Sequence, residues 1–139
     1  MNKQTQRDGT AFARAARGDK LREECGVFGV SLNDATDYAE AAGITYNALL
    51  ALQHRGQEGA GIAVCSGNAI TCRKSVGLVD DVFSSESLMA FPKSGAAVGH
   101  VRYSTTGANT MQNVQPFVTE FLTGRIATVH NGNVTNAGE

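Results

Sequence analysis

The feature that most restricts the fold is a series of short strand-like segments that begins abruptly at Cys25. Each segment is seven to ten residues long, rich in β-branched or aromatic residues, and bounded by glycine or polar residues. The predicted strands are CGVFGVSL (25–32), AGIAVCSG (60–67), AITCRKS (69–75), AAVGHVRYST (96–105) and RIATVHNG (125–132). The second and third flank Gly67-Asn68, a dipeptide typical of tight hairpin turns.

Two helices are predicted between these strands. Residues 38–53 place mostly apolar side chains at helical spacing, and Gly56 follows shortly after. Residues 84–90 form a shorter helix that Pro92 stops. Strand pairs with separated helices indicate an α+β fold with largely antiparallel sheets. With 139 residues, of which 42% are apolar, the chain can build the core of about one domain.

Residues 1–24 differ from everything that follows. They hold half of the twelve basic residues, four acidic residues and few large apolar groups. Such a segment buries little surface and is expected to be a mobile tail. Its four acids and its lack of serine argue against a transit peptide. The predicted boundaries are therefore a tail over 1–24 and a folded domain over 25–139.

Composition excludes several classes of function. A net charge of −1 gives no electrostatic attraction to nucleic acid. No run of 18 apolar residues suits a membrane span, and the N-terminus lacks a secretory apolar run. The three cysteines do not have the number or spacing of a disulfide framework, which argues for a reducing, cytoplasmic location. The sequence has no Cys-x-x-Cys pair of the kind that binds a metal.

Cys25, at the tail boundary, is a candidate nucleophile. The alternative is a small buried apolar residue, which describes most free cysteines. Removal of the tail would give Cys25 a free α-amine, whose pKa is normally about 7.7–8.0. A terminal amine of that kind can serve as the base that a thiol needs.

Two strand ends carry further candidates. Alternation places His100 and Arg102 on one face, where the Arg102 fork suits a carboxylate or a surface ion pair. His130 precedes Asn131 and Gly132, which form either a hairpin turn or a pair of donors for an oxyanion. The LQHRGQ segment (52–57) has basic residues that complement the carboxyl end of the long helix, so a structural role is favoured there.

Taken together, five ordered segments resemble the glutaminase domain of class II (N-terminal nucleophile) amidotransferases. These are EECGVFGV (23–30), LQHRGQEGAGIAV (52–64), GHVRYSTTG (99–107), QPF (115–117) and HNGNVTN (130–136). The residues of these segments are most similar to those of the amidophosphoribosyltransferases, and the resemblance runs from Cys25 to the last residue. Glutamate synthases, which typically read RFST where this chain reads RYST, remain an alternative.

The resemblance implies a four-layer αββα sandwich, of which this chain holds a part, and a propeptide over 1–24. It makes Cys25 the nucleophile, with its own α-amine as base. It assigns the glutamine carboxylate to Arg102 and Thr105, and the oxyanion to Asn131 and Gly132. Gly132 also helps to receive the substrate amine. The acidic partner of the glutamine α-amine lies beyond residue 139 in the family.

The function implied is glutamine hydrolysis that supplies ammonia to phosphoribosyl pyrophosphate, the first step of purine synthesis. Magnesium and, in members with a propeptide, an iron–sulfur cluster belong to a second domain that this segment lacks. The segment itself is expected to need no cofactor, and the full-length enzyme to be a homo-oligomer. A papain-like Cys25–His130–Asn131 arrangement is a weaker alternative, because that family separates its His and Asn. An inactive or partner-binding fragment is the non-enzyme alternative.

Overall fold

The chain was analysed as a computed structural model that describes residues 24–33, 40–104 and 110–132. Its strands are β1 (Gly26–Ser31), β2 (Gly59–Ser66), β3 (Ala69–Val76), β4 (Ala96–Arg102), β5 (Phe117–Phe121) and β6 (Gly124–Thr128). Its α-helices are α1 (Ala41–Ala51), α2 (Val79–Val82) and α3 (Ser85–Met89), and 3-10 turns span Gln53–Arg55 and Met111–Asn113. Within these residues no helix is long and apolar enough to cross a membrane.

The strands form two antiparallel sheets. The larger has the order β1-β4-β2-β3, and the smaller is the β5-β6 hairpin. In the larger sheet Val27 pairs with His100, His100 with Gly61, and Gly61 with Lys74, so these four residues form one row across it. The predicted α+β class with antiparallel strands is therefore confirmed.

One face of the larger sheet forms the apolar core with α1. Ile62, Val64 and Val101 are fully buried on this face, and Leu49 of α1 is buried against it. Each such side chain contributes roughly 1.5–3 kcal/mol by leaving water. A Cβ on Gly99 would lie 2.5 Å from Thr45 and 3.0 Å from Leu49, so only glycine lets α1 approach β4 this closely.

The opposite face of the sheet is covered by residues 111–132. The Lys74 ammonium donates to the carbonyl oxygens of Val114 (2.5 Å) and Pro116 (3.1 Å) and lies 4.9 Å from the centre of the Phe117 ring. These contacts place the segment leading into β5 on the face that does not carry the core. The described residues thus form three layers, a helix layer and two sheets; the second helix layer of the expected sandwich is not among them.

Several predicted boundaries differ from the structure. Helix α1 ends at Ala51 and continues as a 3-10 turn, and β6 ends at Thr128 because the His130 main chain pairs with the Gln115 side chain. Strand β5 and the short α2 were not predicted. The proposed propeptide, residues 1–24, lies outside the described residues except for Glu24.

Candidate active site

Cys25 lies immediately before β1, with its thiol half-buried. Its Sγ is 3.4 Å from both the main-chain nitrogen and the carbonyl oxygen of Tyr103. The Arg55 Nε donates to the Cys25 carbonyl oxygen at 3.3 Å. The same guanidinium lies 3.8 Å from the Glu24 carboxylate, a largely exposed pair that adds little stability. The thiol and the main chain of Cys25 are therefore each held by a different element.

The antiparallel register brings Cys25 opposite Arg102. Gly26 pairs with Val101, so continuing this register by one residue puts Cys25, directly before β1, opposite Arg102, the last residue of β4, on the same face. Arg102 is only 8% exposed, and its Nη1 donates to the Asn113 carbonyl oxygen at 2.5 Å. A buried guanidinium beside a thiol, on the face away from the core, is suited to bind an anionic group.

Glu58 fixes the chain where it leaves β4. Its carboxylate accepts hydrogen bonds from the Ser104 main-chain nitrogen at 2.9 Å and from the Ser104 hydroxyl. Its own N–H donates to the Arg102 carbonyl oxygen at 3.0 Å. Sequence reasoning missed Glu58, although it follows the HRGQ motif directly. Its contacts hold the backbone on both sides of Tyr103.

The turn after α1 is held by side-chain contacts to two other parts of the chain. Gln53 accepts from the Val79 N–H at 2.7 Å and donates to the Gly56 carbonyl oxygen at 2.5 Å, which ties the turn to α2. Arg55, in the same turn, reaches across to the carbonyl of Cys25. The motif therefore also anchors the candidate nucleophile.

Asn131 and Gly132 lie on an exposed turn that follows β6. The residue before them, His130, is held on both sides by the Gln115 side chain. The His130 N–H donates to the Gln115 Oε1 at 2.6 Å, and the Gln115 Nε2 donates to the His130 carbonyl oxygen at 3.1 Å. Gly132 has a φ of 155°, a conformation that favours glycine.

His100 lies on β4, two residues before Arg102, and is fully buried. Burial is the largest cause that lowers its pKa to about 4; the charges of Arg102 and His130 act in the same direction, and the His130 main chain opposes them. No described residue makes a hydrogen bond of ordinary geometry to either ring nitrogen. His100 pairs with Gly61, against which Gln115 packs, and Gln115 holds His130, so His100 connects the Arg102 side of the site to the Asn131 side.

Residues 25–139 match the family model of the class-II glutamine amidotransferases. The chain belongs to the class-II glutamine amidotransferases.

Curated relatives of this amidotransferase domain agree on one enzyme name. The chain is 47% identical over 128 residues to amidophosphoribosyltransferase 3, chloroplastic, of Arabidopsis thaliana, and the match covers 92% of this chain and 23% of that protein. It is 46% identical over 120 residues to the amidophosphoribosyltransferase of Methanothermobacter thermautotrophicus, covering 86% of this chain and 25% of the relative. The chain thus spans about a quarter of the length of these relatives.

Solved structures similar to the domain confirm its fold. One, described as the allosteric regulatory enzyme of purine biosynthesis, has a TM-score of 0.62 and 42% identity over 73% of this chain and 21% of its own. Another, a glutamine phosphoribosylpyrophosphate amidotransferase from B. subtilis complexed with ADP and GMP, has a TM-score of 0.60 and 41% identity over 73% of this chain and 20% of its own. The predicted N-terminal nucleophile hydrolase fold is therefore confirmed.

The predicted site residues of the amidotransferase domain fall into three groups. Cys25 directly precedes β1 and Arg102 is the last residue of β4, so both adjoin the paired residues Gly26 and Val101. Asn131 and Gly132 lie on the second sheet layer, and the Cys25 Sγ hydrogen-bonds to Tyr103 rather than to them. Thr105 lies outside the described residues. The described part contains no group of three or more His, Cys, Asp or Glu side chains that could hold a metal ion.

Proposed function

We propose that this domain hydrolyses glutamine through Cys25 and serves an amidophosphoribosyltransferase. The observation that carries the proposal is the placement of Cys25 opposite the buried Arg102, with its carbonyl held by Arg55. The names of the relatives favour this enzyme over glutamate synthase, the alternative that the sequence left open.

The first step requires a reactive thiol. While the Glu24–Cys25 peptide bond is intact, Cys25 has no free α-amine. We propose that cleavage of this bond removes residues 1–24 and creates the amine, which takes the proton of the thiol. Arg55 contacts residues on both sides of the bond and keeps the Cys25 carbonyl in place.

Substrate binding and acylation follow from the charges of the site. Arg102, with Thr105, holds the glutamine α-carboxylate, since a planar guanidinium matches a carboxylate. The Cys25 sulfur attacks the side-chain amide carbon, and the Asn131 amide and Gly132 N–H stabilise the oxyanion that forms. Each such donor is worth roughly 10²–10³ in rate. Ammonia leaves, a glutamyl thioester remains, and water cleaves it to glutamate and the free thiol.

The fate of the ammonia belongs to the rest of the enzyme. We propose that it reacts with phosphoribosyl pyrophosphate in a second domain, which also holds magnesium and any iron–sulfur cluster. The products there are phosphoribosylamine and pyrophosphate. A homo-oligomer in the cytoplasm is proposed for the full-length enzyme, and size-exclusion chromatography and fractionation would test these two points.

The central experiment compares cysteine variants of the full-length enzyme. Cys25→Ala should abolish glutamine hydrolysis, while Cys65→Ala, which changes an exposed thiol, should keep it. A diazoketone analogue of glutamine should label the peptide that begins with Cys25, as seen by mass spectrometry. Glutamine turnover by Cys25→Ala, or labelling of Cys65 or Cys72 instead, would contradict the proposal.

Cleavage of the tail has its own measurement. The intact mass of the active enzyme should correspond to a chain that begins at Cys25. Inserting a residue between Glu24 and Cys25 leaves the thiol in place and is a matched control. Full activity in a protein that still carries residues 1–24 would show that the α-amine is not the base.

A further inference from the structure

His100 is a polar residue in a position where an apolar one would be more stable. It lies in the middle of β4, between Val27 of β1 and Gly61 of β2, and is fully buried. Neither Nδ1 nor Nε2 has a hydrogen-bond partner among the described residues. Buried polar groups are almost always paired, and leaving one unpaired costs about 1–3 kcal/mol. Packing alone therefore does not explain a histidine here.

The structure covering His100 is the chain that leads to the oxyanion donors. Gln115 packs against Gly61, the cross-strand neighbour of His100, and Asn131 and Gly132 directly follow the His130 that Gln115 holds. Gln115 already holds the N–H and the carbonyl oxygen of His130. A carbonyl oxygen has two lone pairs, so this one can accept a second hydrogen bond. The unpaired imidazole thus lies next to an acceptor with spare capacity.

We propose that His100 is a positioning residue, whose neutral imidazole donates to the His130 carbonyl oxygen when glutamine binds and so fixes the Asn131-Gly132 turn. This rests on the proposed function of the site. Gln115 and His100 then hold the same peptide from two directions. The donors need support of this kind because their turn is exposed and follows the end of β6.

The charge state of the ring suits this role. Burial lowers the pKa of His100 to about 4, so the imidazole is neutral at pH 7, with one N–H to donate. Arg102 lies two residues further on the same face, so a charged ring at position 100 would place a second cation beside its guanidinium in a buried position. A lysine or arginine at position 100 could donate equally well but would add that charge.

Substitution in the full-length enzyme tests the proposal. His100→Phe keeps an apolar ring without a donor, while His100→Asn and His100→Gln keep an amide donor near Nδ1 or Nε2. His54→Phe, at an exposed position in the 3-10 turn after α1, is the matched control. His100→Phe should lower kcat for glutamine hydrolysis about 10–100-fold, less than the loss of a donor itself. KM for glutamine should change less than about threefold, because Arg102 is retained.

One of the two amide variants should recover at least tenfold of the lost kcat, since it restores a donor. A purely structural role would instead lower the yield of folded protein and leave no selective recovery. The proposal fails if His100→Phe keeps kcat within about twofold of wild type, or if kcat falls and neither amide restores it. If Cys25→Ala is inactive while His100→Phe is fully active, only this inference fails; if Cys25→Ala is active, the proposed function fails.

A second measurement covers the case in which His100→Phe does not fold. Cys25→Ala enzyme labelled with ¹⁵N-histidine can be saturated with glutamine and observed by NMR. The His100 ring should be neutral, with one N–H proton that exchanges slowly only in the complex. A charged ring, or an N–H equally labile with and without glutamine, would overturn the proposal.

Discussion

Mild acid should destabilise this domain through His100, and the sign of the effect follows from its surroundings. The ordinary pKa of 6.5 applies in the unfolded chain, and burial lowers the pKa to about 4 in the folded one. Between these values the unfolded chain binds a proton that the folded chain does not. His100 therefore does not lower the stability of the fold above pH 6.5, and stability is lost as the pH falls from 6.5 towards 4.

The magnitude follows from the two pKa values. The difference between 6.5 and about 4 corresponds to about 3 kcal/mol when the pH is below both. At pH 5 roughly 2 kcal/mol of this should already be lost. That is a large fraction of the 5–15 kcal/mol by which domains are usually stable.

The assay compares wild type with His100→Gln between pH 7.5 and 5. Amide hydrogen exchange of β2 and β4, corrected for intrinsic rates, gives the free energy of opening of the domain within the full-length protein. Cys25, Lys74, Arg102 and His130 also face this side of the sheet, but they are present in both proteins, so their direct contributions cancel. Wild type should lose about 2 kcal/mol more than the variant.

Two results would refute the reasoning. The first is an equal loss of stability in both proteins. The second is a direct NMR titration, with the His100 signal assigned by its absence in the variant, that gives a pKa near 6.5. Either would mean that the ring is hydrated or paired in solution.

Three further substitutions, two of them with a comparison variant, test the arrangement around the site. Gly61→Ala should lower the free energy of unfolding by about 3 kcal/mol or more, because its Cβ would overlap the Gln115 carbonyl oxygen and lie 2.7 Å from Pro116. Gly43→Ala, whose Cβ would have nothing within 4 Å, should instead stabilise α1 by about 0.5–1 kcal/mol. Chemical denaturation measures both changes. Arg102→Lys should raise KM for glutamine about 10–100-fold with a smaller change in kcat, since an ammonium lacks the planar fork; an unchanged KM in steady-state assays would contradict this. Glu58→Ala should raise KM for glutamine about tenfold by releasing Ser104. Ser104→Ala removes only the hydroxyl and should have a smaller effect. Equal effects would show that the hydrogen bond from the Ser104 main-chain nitrogen to Glu58 is unimportant.

Residue content and turn chemistry were enough to predict the main sheet. Short segments rich in β-branched or aromatic residues, and the Gly67-Asn68 turn, predicted all four of its strands, and alternation placed His100 and Arg102 on one face. Strand β5 was missed because its five residues are all exposed, so no buried pattern marks it. Strand β6 was predicted too long because a side chain distant in sequence, Gln115, takes over the pairing at His130.

The candidate site was predictable in its residues but not in its support. Cys25, Arg102 and the Asn131-Gly132 turn carry recognisable chemistry and were identified from the sequence. Glu58 acts through a contact 46 residues away in the chain, so local patterns could not identify it. The burial of His100 likewise depends on the second sheet layer. Contacts between distant segments are what single-sequence reasoning lacks.

The register between β1 and β4 links folding to chemistry. Because side chains alternate along a strand, β4 directs Val101 to the core and Arg102 to the site, and the entry into β1 does the same with Gly26 and the preceding Cys25. A slip of one residue would move a guanidinium into the apolar layer beneath α1, at a cost of several kcal/mol for an unpaired buried charge. The packing that makes the sheet stable therefore also enforces the placement of the candidate nucleophile opposite Arg102. Variants that lose this placement should lose the fold as well, whereas variants of His100 or Glu58 should separate the two.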